Sequence, residues 1–584
     1  MQFLIISKKE GFREENINEK ALNSNFAPYL ISKEYLKVEV GNFIIFIYLY
    51  KEIDEEKKNY SYYYDENKLL LVNGILTKSR KIRNHDIQTF FKELKEDSEL
   101  LGDYQLVSIN SNGEGFIKTP IFSLKQLFYY EDSDFSVLST EIKLIVDGVK
   151  KFQGKKFIEH FDMKFIEDST HRESGIRKFP RHTIFKEIKR VLPHDEKIFK
   201  NGTISINRKS IKIPKSFKKK YQMDKKTLYD EYYKNINEFT EQYLSYLKPN
   251  IEELSIGLTG GFDSRLAISI LSPICEKYEI SLKPYTNGAE DHPDVIIAKK
   301  LAKKLNIEYS NNVPPSGKGI HPQSIIEYME SFYVNHGDFN SNNFAKINRE
   351  IKNSRLYHAG LSAYKKKNIN LINRHNIWLA RAINKSHNFY FPLFGTEIEV
   401  FFALLYKELG DLDFKELVYE ILKRSNPKLL EIPFVGDKLP QTNIEPFSTI
   451  NESKFHEKIP FLWDYNYVKR QLNEILTENF NKNLGIKSKI ILKLIGINKL
   501  DFFLDRKINK IILDYRKNKI NLKIAIKKLK KEKSFISFIK TKKMVKFEKN
   551  DLHIKLKRKM VILMDYASVA EMRSFKEIEK NKDK

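Results

Sequence analysis

Six consecutive residues, Thr259-Gly-Gly-Phe-Asp-Ser264, have the types and spacing to bind a phosphate. Gly260 and Gly261 let the backbone turn sharply and approach an anion with no Cβ in the way. Thr259 and Ser264 add hydroxyl donors, and Asp263 is placed to hold a magnesium ion on the phosphates. Upstream, Leu254-Ser-Ile-Gly-Leu258 has the pattern of a buried strand, and Arg265 to Leu271 that of the following helix. A strand that feeds a glycine turn into a helix start aims backbone N–H groups and the positive dipole end at one point. The same residues would also make an ordinary βα turn with a glycine pair. They are not a Walker loop, because no GxxxxGK[ST] occurs in the chain, and Ser316-Gly-Lys-Gly319 reads as a loop without the upstream glycine or the downstream hydroxyl. Cys275 is the only cysteine, which excludes an intramolecular disulfide framework, a cysteine zinc cluster and a CxxC redox pair; its default reading is a buried structural thiol.

The elements that must position the loop can be followed along the chain. Residues 1–150 alternate short apolar runs with turn residues: Phe3 to Ile6, Phe43 to Tyr50, Lys68 to Val72, Tyr104 to Ile109, Gly115 to Lys118, Leu127 to Tyr130 and Ser136 to Leu138. Runs of that length predict a β-rich layered domain, with tight turns at Asn73-Gly74 and Asn112-Gly113. Residues 151–215 are basic and Pro-punctuated and read as a connection, with a strand pair around Asn201-Gly202. Helical spacing from Leu228 to Leu247, then short strands alternating with amphipathic helices from Leu254, predict a parallel α/β domain over 216–480. Beyond 480 the chain is a string of Lys-rich helical segments.

The loop resembles the SGGxDS pyrophosphate loop of the ATP-pyrophosphatase superfamily, with Thr259 in place of the first serine. Three further stretches are similar to the asparagine synthetase family and its relatives. Thr183-Ile-Phe-Lys-Glu-Ile-Lys-Arg-Val-Leu-Pro-His194 with Phe199 to Ser205 resembles the inter-domain TIFxGIxxLPPGH segment and its hairpin. Gly102 to Val107, Pro120 to Tyr130 and Leu138-Ser-Thr-Glu-Ile-Lys143 resemble the GDFA, RDxxGxxPLYY and FASEIK segments of the amidotransferase domain. Tyr285-Thr-Asn-Gly288 and His292-Pro-Asp294 resemble the strand and helix that frame adenine. The matches run in the family's order over most of residues 1–440.

The resemblance implies an α/β protein with four parts: a layered α+β, Ntn-hydrolase-like domain (1–150), an inter-domain connection (151–215), a parallel ATP-pyrophosphatase domain (216–480) and a basic helical C-terminal extension (481–584). It implies an ATP-dependent carbon–nitrogen ligase with ATP and Mg2+ required, and the single cysteine separately suggests a cytoplasmic location. A carboxylate attacks the α-phosphorus, pyrophosphate leaves into the glycine loop, and ammonia or an amine attacks the acyl-adenylate to give an amide and AMP. The nucleotide residues carried over are Leu258, Thr259, Gly260, Gly261, Asp263, Ser264, Tyr285 and Gly360, with Asp263 on the metal. The substrates implied are a small-molecule, sugar or peptide carboxylate and an amine or ammonia donor.

The sequence departs from the family at three places. Glutamine-hydrolysing members expose an N-terminal cysteine after methionine removal; this chain has Gln2, whose amide is not a nucleophile, so the first domain is expected not to hydrolyse glutamine. The later GxGxDE-like turn, which brings a second metal carboxylate, reads Leu356-Tyr-His-Ala-Gly-Leu-Ser-Ala-Tyr364, and no Asp or Glu lies between Arg355 and Glu397. His358 is either a metal or phosphate contact or a hydrogen-bonded structural residue. The family's YPFLDxxLVEFA helix reads Phe391 to Phe402 with Gly395 at the aspartate, which leaves Glu397 or Glu399 as an acid/base partner or as part of a solvated face. Lys438 falls where the family places a catalytic lysine that neutralises charge at the adenylated carboxyl. A non-catalytic nucleotide-binding or scaffold protein derived from the family is the alternative these departures raise.

Composition bounds the remaining choices. The 584 residues are 41% hydrophobic and 13% aromatic, which excludes a wholly disordered or collagen-like chain. Met1 to Glu10 has too short an apolar stretch and no basic leader, so a secretory signal is not expected, and the best apolar run, Phe43 to Tyr50, is far short of the roughly 20 residues a spanning helix needs. Net charge is +27, which raises nucleic acid as a partner and a tRNA-modifying pyrophosphatase as a third reading. Residues 481–584 hold 31 of the 103 Lys and Arg and 11 of the 76 Asp and Glu, so +20 of the excess belongs to that stretch. The remainder is ordinary for an enzyme, and no nucleic acid is expected. The C-terminal lysines, interleaved with Ile and Leu over Ile508 to Leu513 and Ile520 to Leu529, suit either a solvated helix face or docking to an acidic partner or an anionic surface.

Overall fold

The computed structural model describes residues 2–23, 35–48, 62–78, 81–82, 87–93, 100–152, 160–165, 181–209, 224–247, 252–311, 354–358, 390–391, 414–447, 524 and 527–529, apart from a few positions within these spans, and residues 215 and 219. Gly360, Glu397, Gly395, Glu399, the 316–319 stretch and nearly all of 481–584 lie outside the described residues. Ile524 and residues 527–529 are helical, with Leu529 buried and Ile524 exposed.

Among the described residues, thirteen strands lie in the first part of the chain: β1 (Gln2–Lys8), β2 (Tyr35–Val40), β3 (Phe43–Tyr48), β4 (Tyr62–Tyr64), β5 (Lys68–Lys78), β6 (Lys81–Ile82), β7 (Leu100–Asn110), β8 (Gly115–Lys118), β9 (Leu127–Glu131), β10 (Phe135–Ser139), β11 (Lys189–Val191), β12 (Glu196–Lys200) and β13 (Thr203–Asn207). They form two antiparallel sheets, ordered β11-β9-β10-β1-β3-β2 and β13-β12-β8-β7-β5-β4, with β6 on β5. Side-chain alternation assigns each face. Phe3 and Ile5 of β1, Phe43, Ile45 and Ile47 of β3, Leu69 and Leu71 of β5 and Val107 and Ile109 of β7 share one core between the sheets. Leu4, Ile6, Ile44, Phe46 and Tyr48 turn to the opposite face and pack with the helix Ile142–Gly148. Leu70, Val72, Tyr104 and Leu106 turn outward from the second sheet onto the helix Ile87–Glu93. The layers therefore run helix, sheet, sheet, helix, and β3 reads FIIFIY because both of its faces are covered.

Two features of this region differ from the sequence reading. The strand pair at Asn201-Gly202 is present, with φ of +51° and +70° at the turn, but β12 pairs with β8 and β11 with β9. Residues 189–207 therefore complete both sheets as well as linking onward. Asn112-Gly113 turns between β7 and β8 as expected, whereas Asn73-Gly74 lies inside the eleven-residue β5. Gly74 takes φ +111° yet keeps Tyr104 as its ladder partner, and Asn73 Nδ2 donates across the ladder to Gln105 Oε1 at 2.8 Å. The dipeptide that signals a reversal in isolation is held straight here by partners on β7.

The later sheet is parallel throughout. Numbering helices in chain order from α1 (Glu19–Asn23), α2 (Ile87–Glu93) and α3 (Ile142–Gly148), the chain continues α4 (Lys225–Leu247), β14 (Glu253–Gly257), α5 (Phe262–Lys277), β15 (Ser281–Thr286), α6 (Pro293–Lys304), β16 (Ser310–Asn311), β17 (Ser354–His358), β18 (Tyr390–Phe391) and α7 (Phe414–Ser425). Strand order is β16-β15-β14-β17-β18, so the chain moves outward on one side of β14 and then returns to its other side. That reversal makes the carboxyl end of β14 a topological switch point, where open α/β sheets leave a crevice. Leu254, Ile256 and Leu258 pack in one core with α4, α5, α6 and α7. The structure extends α5 past the expected end at Leu271, through Pro273, to Lys277. Pro273 is exposed, so its missing N–H costs one helix bond without opening the packed face. Cys275 accordingly lies inside this helix, buried, with its thiol pushed up to about 12 by burial. No helix among the described residues is long and apolar enough to cross a membrane.

Candidate functional site

The 259–264 turn leaves β14 at the switch point and enters α5 through Gly261, which has φ −80° and ψ 178° and no side chain of its own to cap that helix; its N–H points to Thr259 Oγ1 at 3.4 Å. The first N–H groups of a helix have no intrahelical partner. Ser264 is buried and braces the turn from within. Its Oγ accepts the Thr259 N–H at 2.9 Å and donates to the Thr259 carbonyl at 3.1 Å. The Thr259 and Ser264 hydroxyls also meet at 3.0 Å. Of the two expected hydroxyl donors, Ser264 therefore shapes the loop while Thr259 stays exposed.

Gly260 is fixed on three sides. Its N–H donates to Asp294 Oδ1 at 2.9 Å, and its carbonyl accepts the Val435 N–H at 3.1 Å. A Cβ added at 260 would lie 2.2 Å from Val435 Cγ2 and 3.1 Å from Ile297 Cβ. Gly261 is open by comparison, with the nearest atom 3.5 Å from an added Cβ. Asp263 stands in the first turn of α5, half-buried.

The neighbouring candidates divide by position. Leu258 is in the core, its N–H held by the Tyr285 carbonyl at 2.8 Å and its carbonyl by Thr286 Oγ1 at 2.5 Å. Tyr285, the penultimate residue of β15, pairs with Gly257, its hydroxyl 3.9 Å from where a Cβ would stand on that glycine. Lys438 is exposed, three residues beyond Val435, and its Nζ meets Glu445 Oε1 at 3.2 Å. His358 ends β17, the strand beside β14, and pairs with Phe391 on β18. Among the described residues no group of three or more His, Cys, Asp and Glu is placed to hold a metal; magnesium on a nucleotide needs only one or two carboxylates and keeps several waters.

Two residues that sequence reasoning left without a role organise this site. Arg265, fully buried, donates to the carbonyls of Leu429 (3.1 Å), Ile432 (2.6 Å) and Pro433 (2.7 Å), and its guanidinium lies 3.4 Å from the Phe434 ring centre. Burial holds its pKa down at about 9. Carbonyl dipoles and a ring face stabilise the cation and strap residues 429–435 onto α5, which seats Val435 against Gly260. A signal existed: a charged residue heads Arg265 to Leu271, a stretch apolar on every face and hence buried. The second is Asp294, whose carboxylate reaches the loop from the start of α6.

The first region holds a separate buried polar pair. Gln2 lies in β1, and its Nε2 donates to Glu141 Oε1 at 3.0 Å; Gln2 Oε1 has no hydrogen-bond partner among the described residues. Burial pushes Glu141 up to about 8, against the opposing effects of the Gln2 bond and the Lys125 charge. No protein-family model matches the chain, and no curated protein matches it.

Proposed function

We propose that the chain is an ATP-dependent, AMP-forming carbon–nitrogen ligase of the asparagine synthetase type, whose first domain is amidotransferase-like but without a glutaminase nucleophile. One observation carries the reading: the Thr259–Ser264 turn stands at the carboxyl end of the central parallel strand, at the switch point, and leads directly into the N-terminus of α5. Phosphates are held well by such a turn, because charge builds on the departing pyrophosphate where fixed N–H donors already point. The residues fit ATP and magnesium as follows. Backbone N–H groups at the start of α5 would meet the pyrophosphate, Asp263 would hold the metal, and Tyr285 and the start of α6 would frame the base. Bound magnesium offsets phosphate charge and draws electrons from the α-phosphorus. The helix–sheet–sheet–helix layering of the first region supports an Ntn-hydrolase-like ancestry for it. Gln2, buried and bonded to Glu141, supplies no nucleophile, so nitrogen comes from ammonia or an amine.

Magnesium-dependent ATP–pyrophosphate exchange, screened over amino-acid, uronic-acid and peptide carboxylates, tests the proposal. Exchange with one class of acid, lost in Asp263→Ala, is expected; silence across the whole panel would contradict the ligase. The absence of any carboxylate from 356 to 396 favours a second reading, a nucleotide-binding protein without catalysis. That protein would bind MgATP and exchange nothing.

A further inference from the structure

We propose that Asp294 is a positioning residue that sets the 259–264 loop for its anion by tethering Gly260 to the start of α6. Both polar groups of the Gly260 backbone are engaged, the N–H by Asp294 Oδ1 at 2.9 Å and the carbonyl by the Val435 N–H at 3.1 Å. The N–H belongs to the 259–260 peptide and the carbonyl to the 260–261 peptide, so each of the two planes flanking Gly260 is held by one bond. Gly260 is thereby removed from the donors available to a phosphate, and the anion would be met by amides at the start of α5.

The tether is itself anchored. His292 caps α6, its Nδ1 accepting the Asp294 N–H at 3.2 Å, while its carbonyl accepts from Val295 and Ile296 at 2.9 and 3.0 Å. Asp294 lies in the first turn of α6, where the helix dipole favours its charge. A carboxylate beside a phosphate loop also repels the phosphate, so the acceptor oxygen is useful there and the charge is not. That opposition separates a tether from a metal ligand. An asparagine keeps the acceptor and drops the charge, which would preserve a tether and ruin a metal site.

The role in nucleotide binding rests on the function proposed above; the tether does not. Residue-resolved amide hydrogen exchange on the full chain without nucleotide tests the tether, and calorimetry with MgATP and with adenosine tests its use. Asp294→Ala is expected to speed Gly260 exchange about tenfold, the scale of one lost hydrogen bond, and Asp294→Asn to leave it within about threefold of the parent. MgATP binding should weaken about tenfold in the alanine variant and hold or tighten in the asparagine variant, with any change in adenosine binding smaller than the change in MgATP binding. Asp294→Ser, whose side chain is too short to reach, replaces the alanine variant should that one not fold. Unchanged Gly260 exchange in the alanine or serine variant, or equally fast exchange in the asparagine variant, would overturn the proposal. The expected exchange pattern in a chain that binds no MgATP would uphold the tether and remove the nucleotide reading.

Discussion

Glu141 and Lys197 are buried ionisable groups whose shifts have opposite consequences for stability. Glu141 moves from an ordinary 4.5 to about 8 because burial penalises its charge. Between those values the native state keeps a proton that the unfolded chain has released, so raising pH through that window destabilises the fold. Lys197 moves from 10.5 down to about 7, again chiefly by burial, with Asp195 opposing. Between about 7 and 10.5 the unfolded chain holds a proton that the native state lacks, so stability falls as pH drops through that window. Denaturant midpoints of the full chain from about pH 5 to about pH 10 should therefore lose slope at the acid end in Glu141→Gln and at the alkaline end in Lys197→Met, each group contributing at most about 1.4 kcal/mol per pH unit. The methionine substitution leaves the Pro193 carbonyl paired, because Thr119 Oγ1 donates to it at 2.6 Å. A parental slope in either variant would show that the group titrates normally. Neither residue announced itself in the sequence, since burial of a charged side chain depends on which strands pair over it.

At the scale of elements, the site is a strand, a loop and a helix held by neighbours distant in sequence. Gly260 and Gly261 look alike as a sequence and differ in space. Gly260→Ala drives a methyl into Val435 and Ile297 and should cost about 1–3 kcal/mol of overpacking, whereas Gly261→Ala, at φ −80°, should cost well under 1 kcal/mol. Urea denaturation of both variants checks the contrast, and equal losses would mean that Val435 does not seat against the loop. Local pattern was enough to read the strand, turn and helix at 254–271, the buried runs of β1 and β3 and the parallel sheet, because each depends on spacing within about ten residues. It was not enough for Asn73-Gly74, for β2, or for the Arg265 strap, because each is decided by partners elsewhere: β7 for the first, β3 for the second, and residues 429–433 for the third. Asp294 stood in plain view two residues after His292, yet its acceptor role needs α6 to begin beside the end of β14.

For the whole molecule, the net charge of +27 separates from the question of chemistry, since +20 of it lies in residues 481–584. Two antiparallel sheets in the first part and one parallel sheet in the second divide the labour that the proposed function requires. In that proposal the first, with Gln2 where a nucleophile would stand, would support, and the second, with its glycine loop at a switch point, would bind the nucleotide. The central claim is that this loop holds the phosphates of ATP through magnesium, and titration calorimetry of the full chain with ATP, with and without magnesium, measures it most directly. Magnesium-dependent ATP binding that weakens at least about tenfold in Asp263→Ala, while adenosine binding persists, is the expected result. ATP binding that is absent, or that ignores both magnesium and the Asp263→Ala substitution, would contradict it.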